Sequence, residues 1–181
     1  MLSEVTRATA SRAMGPRMRT AAKTDAAALS GMRSGGSGLA NRPDLPPGSI
    51  SAAGLAGIRR FADDLARWPQ VLDDVTLESA LAALPVFIEK AGTGGGLFRR
   101  LQAECCHDVA RRTGSAASEQ AGLAYDRCAE GWSRLGRSAR VDTPLSDRVA
   151  AVAEVADRLP GLEEEAVEFL EAAAEELRAS M

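Results

Sequence analysis

Hydrophobic positions recur at helical spacing from residue 49 to the end of the chain. Ser49 or Ser51 is placed to cap a helix with Leu55, Ile58, Phe61/Ala62, Leu65 and Trp68 on one face, ended by Pro69. A second stripe runs Leu77, Leu81, Leu84, Ile88 and Ala91, with Thr76 as N-cap and Gly92 as the stop. Pro85 lies inside it and predicts a kink or break near Leu84. After Gly-Thr-Gly-Gly-Gly, a third helix turns Phe98, Leu101, Cys105 and Val109 towards one face and ends at Thr113-Gly114. The fourth stripe, Ala121, Tyr125, Cys128, Trp132 and Leu135, alternates steps of four and three, the spacing of a packed helix pair. Thr143-Pro144 supplies N-cap and N1 for a fifth helix carrying Leu145, Val149, Val152, Ala156 and Leu159. Pro160-Gly161 predicts a turn before a sixth, with Leu162, Ala166, Phe169/Leu170, Ala173 and Leu177. No alternating strand pattern appears, and no repeat of solenoid length. The expected fold is an all-α bundle of five to six helices.

The residues before this bundle differ in kind. Residues 1–48 read as a flexible N-terminal arm, and 49–181 as the helical domain. Ser30 to Gly48 is rich in Gly, Ser and Pro, the composition of a linker. The first 50 residues hold seven basic and three acidic side chains, whereas the rest hold 15 basic and 22 acidic. The net charge of −3 therefore divides into about +4 on the arm and −7 on the domain. All seven aromatic residues lie at position 61 or later. A basic arm without aromatics lacks the usual nucleic-acid footprint, so no nucleic-acid partner is expected. No apolar run approaches 18 residues, so no membrane partner is expected either. With 35 alanines among 181 residues, the core must come from close helix packing around a few large side chains.

Composition also limits the chemistry. Cys105, Cys106 and Cys128 contain no Cys-x-x-Cys pair, and their odd number argues against a disulfide framework. A zinc site would need a fourth soft ligand, and the sole histidine is His107. The start of the chain lacks the apolar stretch of a secretory signal, so a cytoplasmic location is expected. Glu104-Cys105-Cys106-His107-Asp108 is the first place to seek a nucleophile. On a helix, however, Cys105 and His107 stand 200° apart and Cys106 and His107 100° apart, so neither pair converges. The pattern predicts Cys105 on the core stripe, Cys106 near its edge and His107 solvated. The acidic run of the last helix reads as a solvated face, and Trp68 and Trp132 as anchors of the core or of a subunit interface. No catalytic residue, metal site or cofactor is expected.

The most distinctive local feature is the glycine-rich turn. Gly92, Thr93, Gly94, Gly95 and Gly96 open a helix, where unpaired N–H groups attract anions, and Lys90, Arg99 and Arg100 add positive charge. No P-loop motif is present, and no strand precedes the turn as a dinucleotide site requires. The alternative is a tight interhelical turn in which glycine permits close helix approach.

The segment Ile88-Glu89-Lys90-Ala91-Gly92-Thr93-Gly94-Gly95-Gly96-Leu97-Phe98-Arg99-Arg100-Leu101 resembles the hallmark of one family. It is similar to the C-terminal domain of unknown function of butirosin biosynthesis protein H-like proteins. Arg67-Trp68-Pro69 before it, the Tyr125/Trp132 helix and the acidic last helix follow a similar order over roughly residues 50–178. In that family a papain-like N-terminal half carries a Gly-His-Cys-Cys-Glu-like nucleophile motif, and the founding member moves an aminoacyl group from an acyl-carrier protein to an aminoglycoside. Residues 1–48 contain no Cys and no His. The resemblance therefore implies an accessory helical domain without its own nucleophile, partnered by a catalytic chain or an acyl-carrier protein. The alternative is a non-enzymatic interaction module or homo-oligomer, or a truncated gene product.

Overall fold

A computed structural model describes residues 54–90, 95–140 and 142–180. The arm, the proposed caps Ser49 and Ser51, and Gly92, Thr93 and Gly94 lie outside the described residues. Those described form five helices and no strand: α1 Gly54–Val71, α2 Asp74–Glu89, α3 Gly96–Thr113, α4 Ala116–Ser138 and α5 Leu145–Ala179. The chain is an all-α bundle.

α4 is the central element. Its whole predicted stripe, from Ala121 through Tyr125, Cys128 and Trp132 to Leu135, is buried. One end of α4 joins Cys106 and Val109 of α3 and Ala166, Leu170 and Leu177 of α5 in an alanine-rich cluster. The other end, through Trp132 and Leu135, joins Leu65 of α1, Leu77, Leu81, Leu84 and Ile88 of α2, and Val152, Ala156 and Leu159 of α5. Small side chains let α3, α4 and α5 approach closely, and the leucines are concentrated where α1 and α2 must be held.

Several predicted boundaries move. Residues 145–179 form one helix where Pro160-Gly161 predicts a turn, so there are five helices rather than six among the described residues. Proline removes one N–H and crowds the preceding turn, at a cost of about 3 kcal/mol. Against that cost, α5 buries Val152, Ala156 and Leu159 before Pro160 and Ala166, Leu170 and Ala173 after it, spanning both clusters. Continuous packing outweighs the local break. Pro85 likewise leaves α2 unbroken through Glu89, and α1 runs two residues beyond Pro69. The N-cap of α2 is Asp73, whose carboxylate accepts a hydrogen bond from the Thr76 N–H at 2.8 Å, so Thr76 is the capped residue and not the cap. That bond holds the Asp73 carboxyl below its ordinary pKa. For α5 the cap is Pro144, one residue later than expected, without a side-chain cap bond.

The face of α3 is the largest correction. The buried positions are Ala103, Cys106, Val109 and Ala110, whereas Phe98 and Leu101 are exposed. Cys106 is fully buried and Cys105 half-buried, the reverse of the expected order. The larger side chains do not choose the face. Close approach to α4 does, and it favours the small ones.

Candidate functional site

Gly95 and Gly96, the described glycines of this segment, stand in close packing. A Cβ on Gly95 would stand 2.7 Å from the Ile88 carbonyl oxygen, and one on Gly96 2.9 Å from the Ser133 hydroxyl oxygen. Neither position has room for a side chain. The end of α2 therefore abuts the start of α3 and the flank of α4, and three polar side chains close the junction. Arg100 donates to Glu89 and, at 2.9 Å, to Ser133, whose hydroxyl donates in turn to Glu89. Burial pushes the Glu89 carboxyl up, but the hydrogen bonds from Ser133 and Arg100 and the charges of Arg100 and Arg137 prevail and hold it below its ordinary value.

One turn away lies a second network. Glu163 of α5 is only 4% exposed, and its Oε1 accepts from Trp132 Nε1 at 2.6 Å and from Arg99 Nε at 2.7 Å. The Arg99 guanidinium lies 5.4 Å over the Trp132 ring, within cation–π range, and Phe61 of α1 stacks on Trp132 with centroids 5.7 Å apart. Glu163, read from the sequence as one of a solvated acidic run, instead fixes the tilt of a core tryptophan.

These groups floor a cleft of about 520 Å³ between α1 and α2. Ile58, Phe61 and Trp68 form one wall, Ala80, Ala83, Leu84, Phe87 and Ile88 the other, and Gly95, Arg99 and Trp132 close the end. Four aromatic side chains around one polar group is the composition of a site for an apolar ligand or side chain. A larger depression, about 720 Å³ on α4 and α5, has no aromatic and is rimmed by charges of both signs. We take the aromatic cleft as the candidate site.

The residues singled out from the sequence divide accordingly. Gly95 and Arg99 line the cleft. Gly96 and Arg100 lie in the adjoining polar junction, and Lys90 is exposed at the end of α2. Both arginines are engaged by carboxylates, Arg99 by Glu163 and Arg100 by Glu89. From the sequence Trp68 and Trp132 read only as core or interface anchors and Phe61 as one position of a helical stripe, and Phe87 does not stand out, because no spacing rule links α1, α2 and α4.

Cys106 and Cys128 are buried thiols held in the protonated form. Burial pushes the Cys106 and Cys128 thiols up to about 12 each, so neither is a thiolate near neutral pH. Cys128 donates its S–H to the Leu162 carbonyl at 3.0 Å. His107 is not solvated as its wheel position predicts. Its Nε2 lies 2.9 Å from Asp126 and its Nδ1 3.1 Å from Glu119, both on α4. Gly122 makes room for the ring, since a Cβ there would stand 2.6 Å from it.

Hydrogen bonds to Asp126 and then Glu119 raise the His107 pKa above its ordinary value. A group whose folded pKa is raised contributes stability fully below its unfolded pKa, about 6.5, and loses it as pH rises through the folded value. Denaturant titrations at pH 5.5 and 8.5 should therefore show wild type gaining stability at the lower pH relative to His107→Gln. Gly122→Ala, which displaces the ring, should behave as the glutamine variant does. Parallel pH profiles for all three proteins would rule the contribution out.

A family model described as a domain of unknown function (DUF4872) matches residues 3–170. The chain belongs to that family. No curated protein and no solved structure matches it. The DUF4872 match begins in the basic segment and runs through all of α1 to α4 and most of α5, so it takes in the cleft and its glycine turn. No described helix is long and apolar enough to cross a membrane.

Proposed function

We propose that this DUF4872 chain is a non-catalytic accessory domain of an acyltransferase-like system, and that its aromatic cleft receives the apolar part of an acyl group presented by a carrier protein or catalytic partner. The observation that carries this reading is the cleft itself: four aromatic side chains around Arg99, bordered by the turn that resembles the C-terminal hallmark of butirosin biosynthesis protein H-like proteins. The raised Cys106 and Cys128 thiols support a binding role over a chemical one. A cleft of this volume is in the range of small-ligand sites. Arg99 serves such a site by holding Trp132 together with Glu163, and Arg100 ties Glu89 in the adjoining junction.

The test is a titration of the purified full chain with a medium-chain acyl-pantetheine thioester, followed by calorimetry and by the emission of Trp68 and Trp132. Saturable binding is expected, weakened about tenfold by Phe87→Ala, the order expected when one large apolar contact is lost. Phe87 is 52% exposed, so its removal should leave the fold intact. Arg99→Ala is a poor probe because it strands the Glu163 carboxylate. Absence of saturable binding to the thioester and to a loaded carrier protein alike would end the proposal.

A second reading, a homo-oligomer, is favoured by the exposed apolar side chains where α2 and α3 abut: Val86, Phe87, Leu97, Phe98 and Leu101. Sedimentation velocity discriminates, since a monomer at all concentrations excludes it.

A further inference from the structure

Arg99 enters the cleft with hydrogen-bonding capacity to spare. Its Nε donates to Glu163 at 2.7 Å, and no bond to a described residue uses its terminal amino groups, Nη1 and Nη2. Arg100, one residue on, is the contrast: its Nη1 donates to Ser133 and its Nη2 to Glu89. The fully buried, unpartnered side-chain atoms among the described residues belong to Ser118 and Arg148, not to Arg99. The Arg99 amino groups are therefore accessible, and the space they reach is the cleft that Arg99 lines. Their N–H groups form a planar fork suited to oxygen acceptors. Glu163 already balances the positive charge, so the fork is matched to an uncharged carbonyl. A second carboxylate there would be disfavoured by the charge of the first.

The cleft also has a direction. Only Leu72 and Asp73 separate α1 from α2, so the two helices are tied together there and stand apart where Phe61 and Phe87 face the cleft. Trp68 and Ala80 lie towards the connection. Phe61, stacked on Trp132, and Ile88, against Gly95, lie at the other end with Arg99. From Phe61 to Trp68, and from Ile88 back to Ala80, the helices advance about 10–12 Å. An extended chain covers about 3.5 Å in three bonds, so this length takes about eight to ten carbons.

We propose that Arg99 binds the carbonyl oxygen of the acyl group through Nη1 and Nη2, and that the acyl chain runs from there between α1 and α2 to Trp68 and Ala80. This rests on the acyl-binding reading of the cleft and adds its substrate class, an uncharged acyl derivative of medium length. The carrier arm leaves over Phe87, at the exposed rim. Arg99 is then a binding residue as well as the support of Trp132, and Ala80 limits the length of chain accepted.

The experiment compares three ligands on the purified full chain by calorimetry. They are octanoyl-pantetheine, the S-octyl thioether of pantetheine, which lacks the carbonyl, and octanoate, which carries a charge in its place. The thioester should bind about tenfold more tightly than either, the order expected for one hydrogen bond to a charged donor. Arg99→Lys keeps a cation beside Glu163 but not the fork, so thioester and thioether should bind it alike. With carbon-13 at the thioester carbonyl, difference infrared spectra should show its stretch lowered on binding to wild type and not to Arg99→Lys. A purely structural Arg99 would not produce that shift. Ala80→Leu should move the tightest-binding chain from octanoyl to a shorter one and leave the preference for the carbonyl intact. Equal binding of thioester and thioether to wild type, with an unmoved stretch, would overturn the proposal and leave the acyl-binding function standing. Tightest binding by octanoate would overturn it in favour of an anionic ligand. Failure of all three to bind would remove the acyl-binding function and the proposal with it. The ligand comparison on wild type decides between these outcomes whether or not Arg99→Lys folds.

Discussion

Glu163→Ala is expected to destabilise the protein by about 3 kcal/mol, because it breaks a buried ion pair from one side. The substitution leaves the Trp132 indole N–H without its acceptor and the Arg99 guanidinium, 16% exposed, without its counter-charge. Neither group has a ready alternative, since Trp132 is held between Phe61 and Arg99. Glu163→Gln keeps an oxygen where both bonds end and loses only the charge, so about 1–2 kcal/mol is expected. Replacing both partners, Arg99→Met with Glu163→Leu, should recover only the part due to the stranded Arg99 charge, because the Trp132 N–H still lacks its acceptor. Urea denaturation of the four proteins measures this. Equal, small losses for the alanine and glutamine variants would mean that the pair does not hold Trp132. The consequence for the cleft is direct, since Trp132 is its floor.

Leu135→Ala should cost about 2–5 kcal/mol, whereas Leu101→Ala should change stability by no more than about 0.5 kcal/mol. Both leucines fall on stripes predicted from spacing, yet Leu135 is completely buried and Leu101 is 51% exposed. Leu135 lies in the cluster of Leu81, Leu84, Val152 and Leu159 that fastens α1 and α2 to the rest, so the cavity left by its truncation has little to collapse into it. Thermal or denaturant unfolding of the two variants side by side reads the difference. A large loss for Leu101→Ala would put Leu101 and Phe98 in a covered interface, and so favour the oligomeric reading.

How far the molecule could be read from its residues varies by helix. The core stripe of α4 was legible, because its 4-3-4-3 spacing keeps Ala121, Tyr125, Cys128, Trp132 and Leu135 on one face, although burial extends beyond it to Ser118, Ala124 and Ala129. α3 was not, because Phe98 and Leu101 compete with Ala103, Cys106 and Ala110 for the core, and that contest is decided by how closely α4 approaches. Proline was over-read at Pro160, where a local cost was set against burial on both sides of it. For the site, Gly95 and Arg99 were named from sequence and do line the cleft, although the observed contact of Arg99 is Glu163, 64 positions away. His107 illustrates the same limit. Its wheel position is correct for α3 alone and says nothing of Asp126 and Glu119 arriving from α4.

The sequence by itself determined the helical class and the contrast in composition between a basic stretch without aromatics and an acidic, aromatic-bearing remainder. Those properties follow from periodicity, composition and local backbone preference, which act within a few residues. Only the tertiary structure decided which face of α3 is buried, that α5 passes straight through Pro160, and that Phe61, Trp68, Phe87 and Trp132 enclose one cleft over the Arg99–Glu163 pair. Those outcomes depend on contacts between residues far apart in the chain, whose energies outweigh the local preferences that a sequence pattern records.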